Sequence, residues 1–232
     1  MSTCVNQKLA YHDDNIIYPQ LDFPFQAKPI MLGLDADGES IREFNLSEEC
    51  KDWYFVLAFF TMDFKADNSE IQQFNSRIDE FTENNTKVFG ITQDSPFVTR
   101  HWTRKPVSRG GFGSTLGFPM LTDKDLYLSN LMGVSRPSGL PCRSTFIVDW
   151  QGRVRYMMCH KSEMGRSVTD ILRIARAFRH SDLTGQITPA GWQPGDGVIP
   201  TDYTAKRRYY EKKYKDWSLD GSSRDSDDSK SR

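Results

Sequence analysis

Whatever chemistry this 232-residue chain performs must come from four cysteines, four histidines and a few charges that fall close together. Cys4, Cys50, Cys142 and Cys159 are spaced widely and irregularly. That spacing supplies neither the Cys-x-x-Cys pairs of a zinc site nor the dense framework of a small disulfide-bonded domain, so reduced thiols are expected, with no metal and no cofactor. Cys142 stands beside Arg143, a cation able to favour the thiolate, which is the nucleophilic form. Consecutive strand residues point to opposite faces, however, which makes Cys142 read rather as a small buried hydrophobe. Cys159 and His160 set a nucleophile beside a base, but the same alternation separates them, and no third group orients the histidine. His12, His101 and His180 are scattered singly and read as surface or satisfied core positions.

Elements must gather such residues before they can act. Residues 30–46 read as a hairpin, because an apolar run meets Asp35-Ala-Asp-Gly38 and resumes at Ile41. The uninterrupted apolar run 54–60 is of strand length and fits a strand covered on both faces, the expected sheet centre. Ile71, Phe74, Ile78 and Phe81 recur at helical spacing, and Asp67 with Glu70 three residues on resembles a capping pair that starts this helix near Asp67. Residues 88–92 form a short strand, and Ser95-Pro96 opens a helix through Trp102. Strands at 145–149 and 154–159 flank the turn Trp150-Gln151-Gly152, and Val168, Ile171, Leu172, Ile174, Ala175 and Phe178 form the apolar face of a closing helix. The resulting β-α-β-α-β-β-α order predicts an α/β, thioredoxin-like fold, a central mixed sheet with helices on both faces.

Length and 38% hydrophobic content allow one substantial core plus extensions rather than two full domains. We divide the chain into an extension at 1–27, the α/β domain at 28–182, an extended C-terminal arm rich in Gly, Pro and polar residues at 183–205, and a basic segment with a Ser/Asp/Arg tail at 206–232. The end of that tail has too little apolar surface to offset its ordering entropy, so it is expected to be disordered. Thirty basic residues face 31 acidic ones, which gives no overall attraction to nucleic acid or anionic membrane. No segment reaches the roughly 18 apolar residues of a membrane span, and a soluble cytoplasmic protein is expected. The run 206–215, basic with interleaved tyrosines, suits an acidic surface or RNA. The alternative, a solvated amphipathic helix covering the domain, needs no ligand, and no nucleic-acid partner is expected.

Several segments together resemble the typical two-cysteine class of peroxiredoxins over roughly residues 30–210. Val56-Leu-Ala-Phe-Phe-Thr-Met-Asp-Phe64 is similar to the strand and loop entering that family's active site, and Gly110-Gly-Phe-Gly113 to its Gly-Gly-Leu-Gly element. Arg143-Ser-Thr-Phe-Ile-Val-Asp149 resembles the strand bearing its active-site arginine. Gly165-Arg-Ser167, Pro189-Ala-Gly-Trp192 and Pro194-Gly195 follow in the family's order. Tyr209-Tyr210 resembles the Tyr-Phe pair of the family's C-terminal arm.

The resemblance implies a peroxide-reducing cysteine in a Pro-x-x-x-Thr-x-x-Cys pattern, in the first turn of a helix whose dipole and a nearby arginine stabilise the thiolate. Aligned on that pattern, Thr61 stands at the proline and Lys65 at the threonine, and 66–70 is one residue short and without sulfur. Asp67 falls at or beside the lost cysteine, where a carboxylate cannot become a sulfenic acid. Thr188 stands at the family's resolving cysteine. Arg143 and Glu70 are then either a vestigial oxyanion pocket or, with Lys65 and Asp67, a neutralised structural ion cluster. The expectation is a peroxiredoxin-like protein without catalysis, acting as a scaffold, interaction or chaperone-like protein. Family likeness also implies a homodimer joined at strand 154–159, with a decameric ring as a further assembly. The rival expectation is a weak thiol-dependent peroxidase in redox homeostasis that uses Cys142 or Cys159.

Overall fold

The computed structural model describes residues 30–61, 67–113, 115–161 and 163–215. The extension 1–27, Cys4, Lys65 and the end of the tail, for which expectations were drawn above, lie outside the described residues.

Among the described residues, seven strands form one sheet: β1 (Ile30–Leu34), β2 (Ile41–Asn45), β3 (Tyr54–Phe59), β4 (Thr86–Thr92), β5 (Met120–Thr122), β6 (Arg143–Val148) and β7 (Val154–His160), in the order β2-β1-β5-β4-β3-β6-β7. β3 pairs in parallel with β4 and β4 with β5, whereas the remaining neighbours are antiparallel, so the sheet is mixed. Every residue of β3 is buried, as a run apolar on both faces requires. The middle position nevertheless belongs to β4, because β5, three residues long and too short to show a period, adds a strand beyond it. β2 and β7 are the edges.

The helices are α1 (Leu46–Glu49), α2 (Asp67–Ser76), α3 (Ile78–Glu83), α4 (Pro96–Thr103), α5 (Tyr127–Leu131), α6 (Val168–Thr184) and α7 (Tyr203–Lys213). With them the sheet makes the thioredoxin-like α/β fold that the element order predicts. The single helix expected from Ile71 to Phe81 is two, broken at Arg77, whose φ of −124° and ψ of 10° leave the helical region. The break lets Phe81 fold back on Phe74, ring centroids 5.9 Å apart, and the Phe118 ring also packs on Phe74 at 5.7 Å. Ser95 caps α4 by accepting from the Val98 N–H, as its Ser-Pro start predicts.

The described residues from Thr169 on belong to a second compact unit. Of the apolar face expected of α6, Ile171, Leu172 and Ala175 are buried, whereas Ile174 and Phe178 are half-buried. In the arm, Ile187 bridges Ile199, and the Trp192 ring lies 4.9 Å from that of His180 while its Nε1–H donates to the Asp196 carbonyl at 3.2 Å. Asp202 caps α7 by accepting from the Ala205 N–H. None of the residues of α7 is buried. Its tyrosines pack on one another instead, Tyr209 on Tyr210 and Tyr210 on Tyr214, with the Lys213 ammonium bonded to the Tyr209 hydroxyl at 3.0 Å.

Candidate functional site

α2 is held against the glycine-rich loop by one polar stripe. Asn68, Gln72 and Asn75, four and then three residues apart and so on one face, donate their side-chain N–H groups to the carbonyls of Gly110, Phe112 and Thr115. Gly110, at φ of 80°, needs the left-handed region that glycine alone enters freely, and a Cβ on Gly111 would collide with the Lys105 backbone. Docked this way, α2 presents a different set, Asp67, Glu70, Ile71 and Phe74, as its buried residues.

The two carboxylates in that set meet two arginines. Arg143 opens β6 with no exposed surface, and its Nη1 lies 2.7 Å from Glu70 Oε2 and 3.1 Å from Asp67 Oδ1. Its Nη2 reaches the Thr61 hydroxyl at 3.5 Å. Arg166 donates its backbone N–H to Glu70 Oε1 at 2.7 Å, and its Nε and Nη2 to Glu70 Oε2 at 2.9 and 2.7 Å. Its remaining Nη1 is taken by the Ser144 carbonyl and the Thr145 hydroxyl, and its guanidinium lies 4.3 Å over the Phe60 ring. Burial pushes the Arg166 guanidinium below its ordinary pKa, against the opposing pull of the Glu70 carboxylate. The cluster is thus two guanidiniums against two carboxylates, desolvated and balanced in charge. Glu70 spends its oxygens on the arginines, so the pair Asp67 and Glu70 at the start of α2 serves the ion cluster, while the residues just before it that a cap would involve lie outside the described residues.

The sequence reading brought Asp67, Glu70 and Arg143 together and missed Arg166. Its signal was the Gly165-Arg-Ser167 segment, noted only as a family motif.

Residues 24–157, more than half of the chain, match the AhpC/TSA family, and residues 177–212 match the C-terminal domain of 1-Cys peroxiredoxin. The chain belongs to the peroxiredoxin family. It is 34% identical over 190 residues to peroxiredoxin-1 of Gekko japonicus, covering 81% of this chain and 92% of that protein. Among solved structures it is similar to the reduced 2-Cys peroxiredoxin of Plasmodium vivax, with a TM-score of 0.70, 28% identity and coverage of 74% and 89%. A Plasmodium yoelii Prx1a modified at its N-terminus, which forms an artifactual octamer, is similar at a TM-score of 0.61 and 28% identity, covering 73% and 99%.

The described thiols of this chain, Cys50, Cys142 and Cys159, sit elsewhere. Cys50 is buried, and that burial pushes its thiol far above the ordinary range. Cys142 precedes β6 and Cys159 lies in β7, where it pairs with Ser144. Residues 142 and 144 share a face, so the register sets Cys142 diagonally beside Cys159. The structure therefore corrects the reading of Cys142 as a small buried hydrophobe. Cys142 is only half-buried and Cys159 is exposed. The Cys142 thiol is lowered to about 6, first by a hydrogen bond from the Cys159 S–H and then, against burial, by Arg136. Arg136 Nε donates to Cys142 Sγ at 3.0 Å. Holding the proton for its neighbour moves Cys159 far upward.

Arg143, the cation the sequence offered, points away from Cys142 into the ion cluster, as strand alternation requires. Arg136 replaces it because Ser135 bridges Pro141 and closes the loop between them, with Gly139 at φ of 80°. His160 stands opposite Arg143 in the ladder rather than with Cys159. Thr188 lies half-buried in the arm. Among the described residues no group of three or more His, Cys, Asp or Glu gathers around a metal position, and no helix is long and apolar enough to cross a membrane.

Proposed function

We propose that this peroxiredoxin-family chain does not turn over peroxide and serves as a homo-oligomeric scaffold or interaction protein. One observation carries the reading. At the start of α2, where the resemblance puts the peroxide-reducing cysteine, stands Asp67, 1% exposed and ion-paired to Arg143. A carboxylate cannot donate the electron pair that breaks the O–O bond and end as a sulfenic acid. The arginine that would stabilise a thiolate is committed to Glu70 and Asp67. Thr188 at the resolving position removes the second half-reaction in the same way. β7 is the terminal strand of the described sheet, and an edge strand of this kind supports a homodimer by pairing with a second copy of itself.

A second reading, a weak thiol-dependent peroxidase, is favoured by the contact between Cys142 and Cys159. Stopped-flow mixing with hydrogen peroxide and a thiol reductant separates the two. Consumption no faster than by free thiol is expected. Turnover well above that rate, abolished by Cys142→Ser or Cys159→Ser, would transfer the function to the second reading.

A further inference from the structure

We propose that Cys142 and Cys159 form a reversible intrachain disulfide across the β6–β7 edge, made by a hydroperoxide and undone by a dithiol reductant. Three observations point there. Register and strand alternation place both thiols on one face of the sheet, diagonal to each other through the Ser144–Cys159 pair. A guanidinium, Arg136, donates to the Cys142 sulfur at 3.0 Å. Both sulfurs are on residues that solvent reaches, unlike buried Cys50. The lowered pKa of Cys142, with the proton resting on Cys159, agrees with this division of labour.

Two balanced steps follow. The Cys142 thiolate attacks one oxygen of the hydroperoxide, the O–O bond breaks, and the leaving alkoxide or hydroxide takes a proton from water, which gives Cys142 sulfenic acid and an alcohol or water. Arg136 is placed to stabilise the attacking anion. Cys142 then carries no charge, and the hydrogen bond that held the Cys159 proton in place is lost. Cys159 sulfur attacks the sulfenic sulfur, the S–O bond breaks, and hydroxide leaves with the Cys159 proton as water. The sulfurs contract from hydrogen-bond contact to the S–S length of about 2.05 Å. A dithiol such as dithiothreitol returns both thiols by exchange and is itself oxidised.

Without a reductant this chemistry consumes one peroxide per chain and stops, and with a reductant it cycles no faster than a free thiol reacts, so it rests beside the reading above, which excludes only faster turnover. Its failure reads out as a missing bond, and failure of that reading as consumption well above the free-thiol rate in the coupled assay. The test uses the reduced full-length protein, treated with a small excess of hydrogen peroxide, alkylated and peptide-mapped. A Cys142–Cys159 link, with Cys50 still a thiol and the link removed by dithiothreitol, is expected. Cys142 found as sulfinic acid without the link, Cys142 and Cys159 both left as thiols, or a link from either to Cys4 or to another chain would overturn the proposal. In Cys159→Ser the sulfenic acid should persist long enough for dimedone to label Cys142, and labelling only at other residues would overturn the order of steps. Arg136→Gln should raise the pH midpoint of Cys142 alkylation above about 6 while leaving Cys50 protected. An unmoved midpoint would remove Arg136 from the site.

Discussion

Replacing Glu70 by Gln tests whether the buried cluster is sealed. The Glu70 carboxylate accepts from the Arg166 N–H, Nε and Nη2 and from Arg143 Nη1, all between 2.7 and 2.9 Å. Three of these come from guanidiniums, each worth about 1.5–3 kcal/mol if taken singly. They are not additive, and the relevant loss is that of breaking a buried pair from one side, about 3–5 kcal/mol. Glutamine keeps the shape and one acceptor oxygen, and Asp67 still opposes one arginine, so about 3 kcal/mol is expected. At roughly 2–4 °C per kcal/mol for a chain of this size, the melting temperature should fall by about 6–12 °C. Urea unfolding should show the same loss as a lower midpoint at unchanged slope. The Arg207–Glu211 pair of α7, whose side chains are 71% and 58% exposed, is the control: Glu211→Gln should cost at most a few tenths of a kcal/mol. If Glu70→Gln melts within about 1 kcal/mol of the parent, the cluster is solvated, and the proposal that the start of α2 is closed to peroxide fails.

Asp67→Cys alone should leave peroxide reduction near the free-thiol rate, because the shortened 66–70 segment and Lys65 also displace the groups that orient peroxide, and about 1 Å of misplacement can cost about a hundredfold. Family-like rates from this one change in stopped flow would show an otherwise intact site. Cys142 alkylation by iodoacetamide should rise with pH through a midpoint near 6, since its thiolate is stabilised in the folded protein and the fraction present grows above that value. Cys50 should react only after denaturation, because burial holds it protonated; equal rates for both in the native protein would contradict the assignment. Light scattering at micromolar concentration should report a homodimer, and a monomer alone would leave the β7 edge without a role. Truncation after Trp217 should leave the melting temperature unchanged, as Leu219 is the only apolar residue beyond it.

Much of this architecture was legible because burial writes itself into composition. The run that becomes β3 is apolar throughout since both faces are covered, and α6 shows its stripe since one face is. β5 left no trace, as three residues carry no period, and nothing in 67–83 marks the break at Arg77, which follows from how Phe81 must pack. At the site, Asp67, Glu70 and Arg143 were readable by likeness to a family pattern. Arg166 was not, because it meets Glu70 across 96 residues of sequence. The contact of Cys142 with Cys159 was equally hidden: it depends on the β6–β7 register and on the short loop that delivers Arg136.

The ion cluster also has a consequence for how the chain finds its fold. Glu70 joins residues separated from it by 73 and 96 positions, so its bonds close only after α2, β6 and the segment before α6 have met. A one-residue slip of β6 would turn Arg143 to the opposite face and bring Cys142 or Ser144 to face Glu70, leaving a buried carboxylate short of an arginine. Hydrophobic side chains along β6 would tolerate such a slip far better than this charge can. The four residues therefore act as a checkpoint on strand register, one that only the correctly threaded sheet can pass.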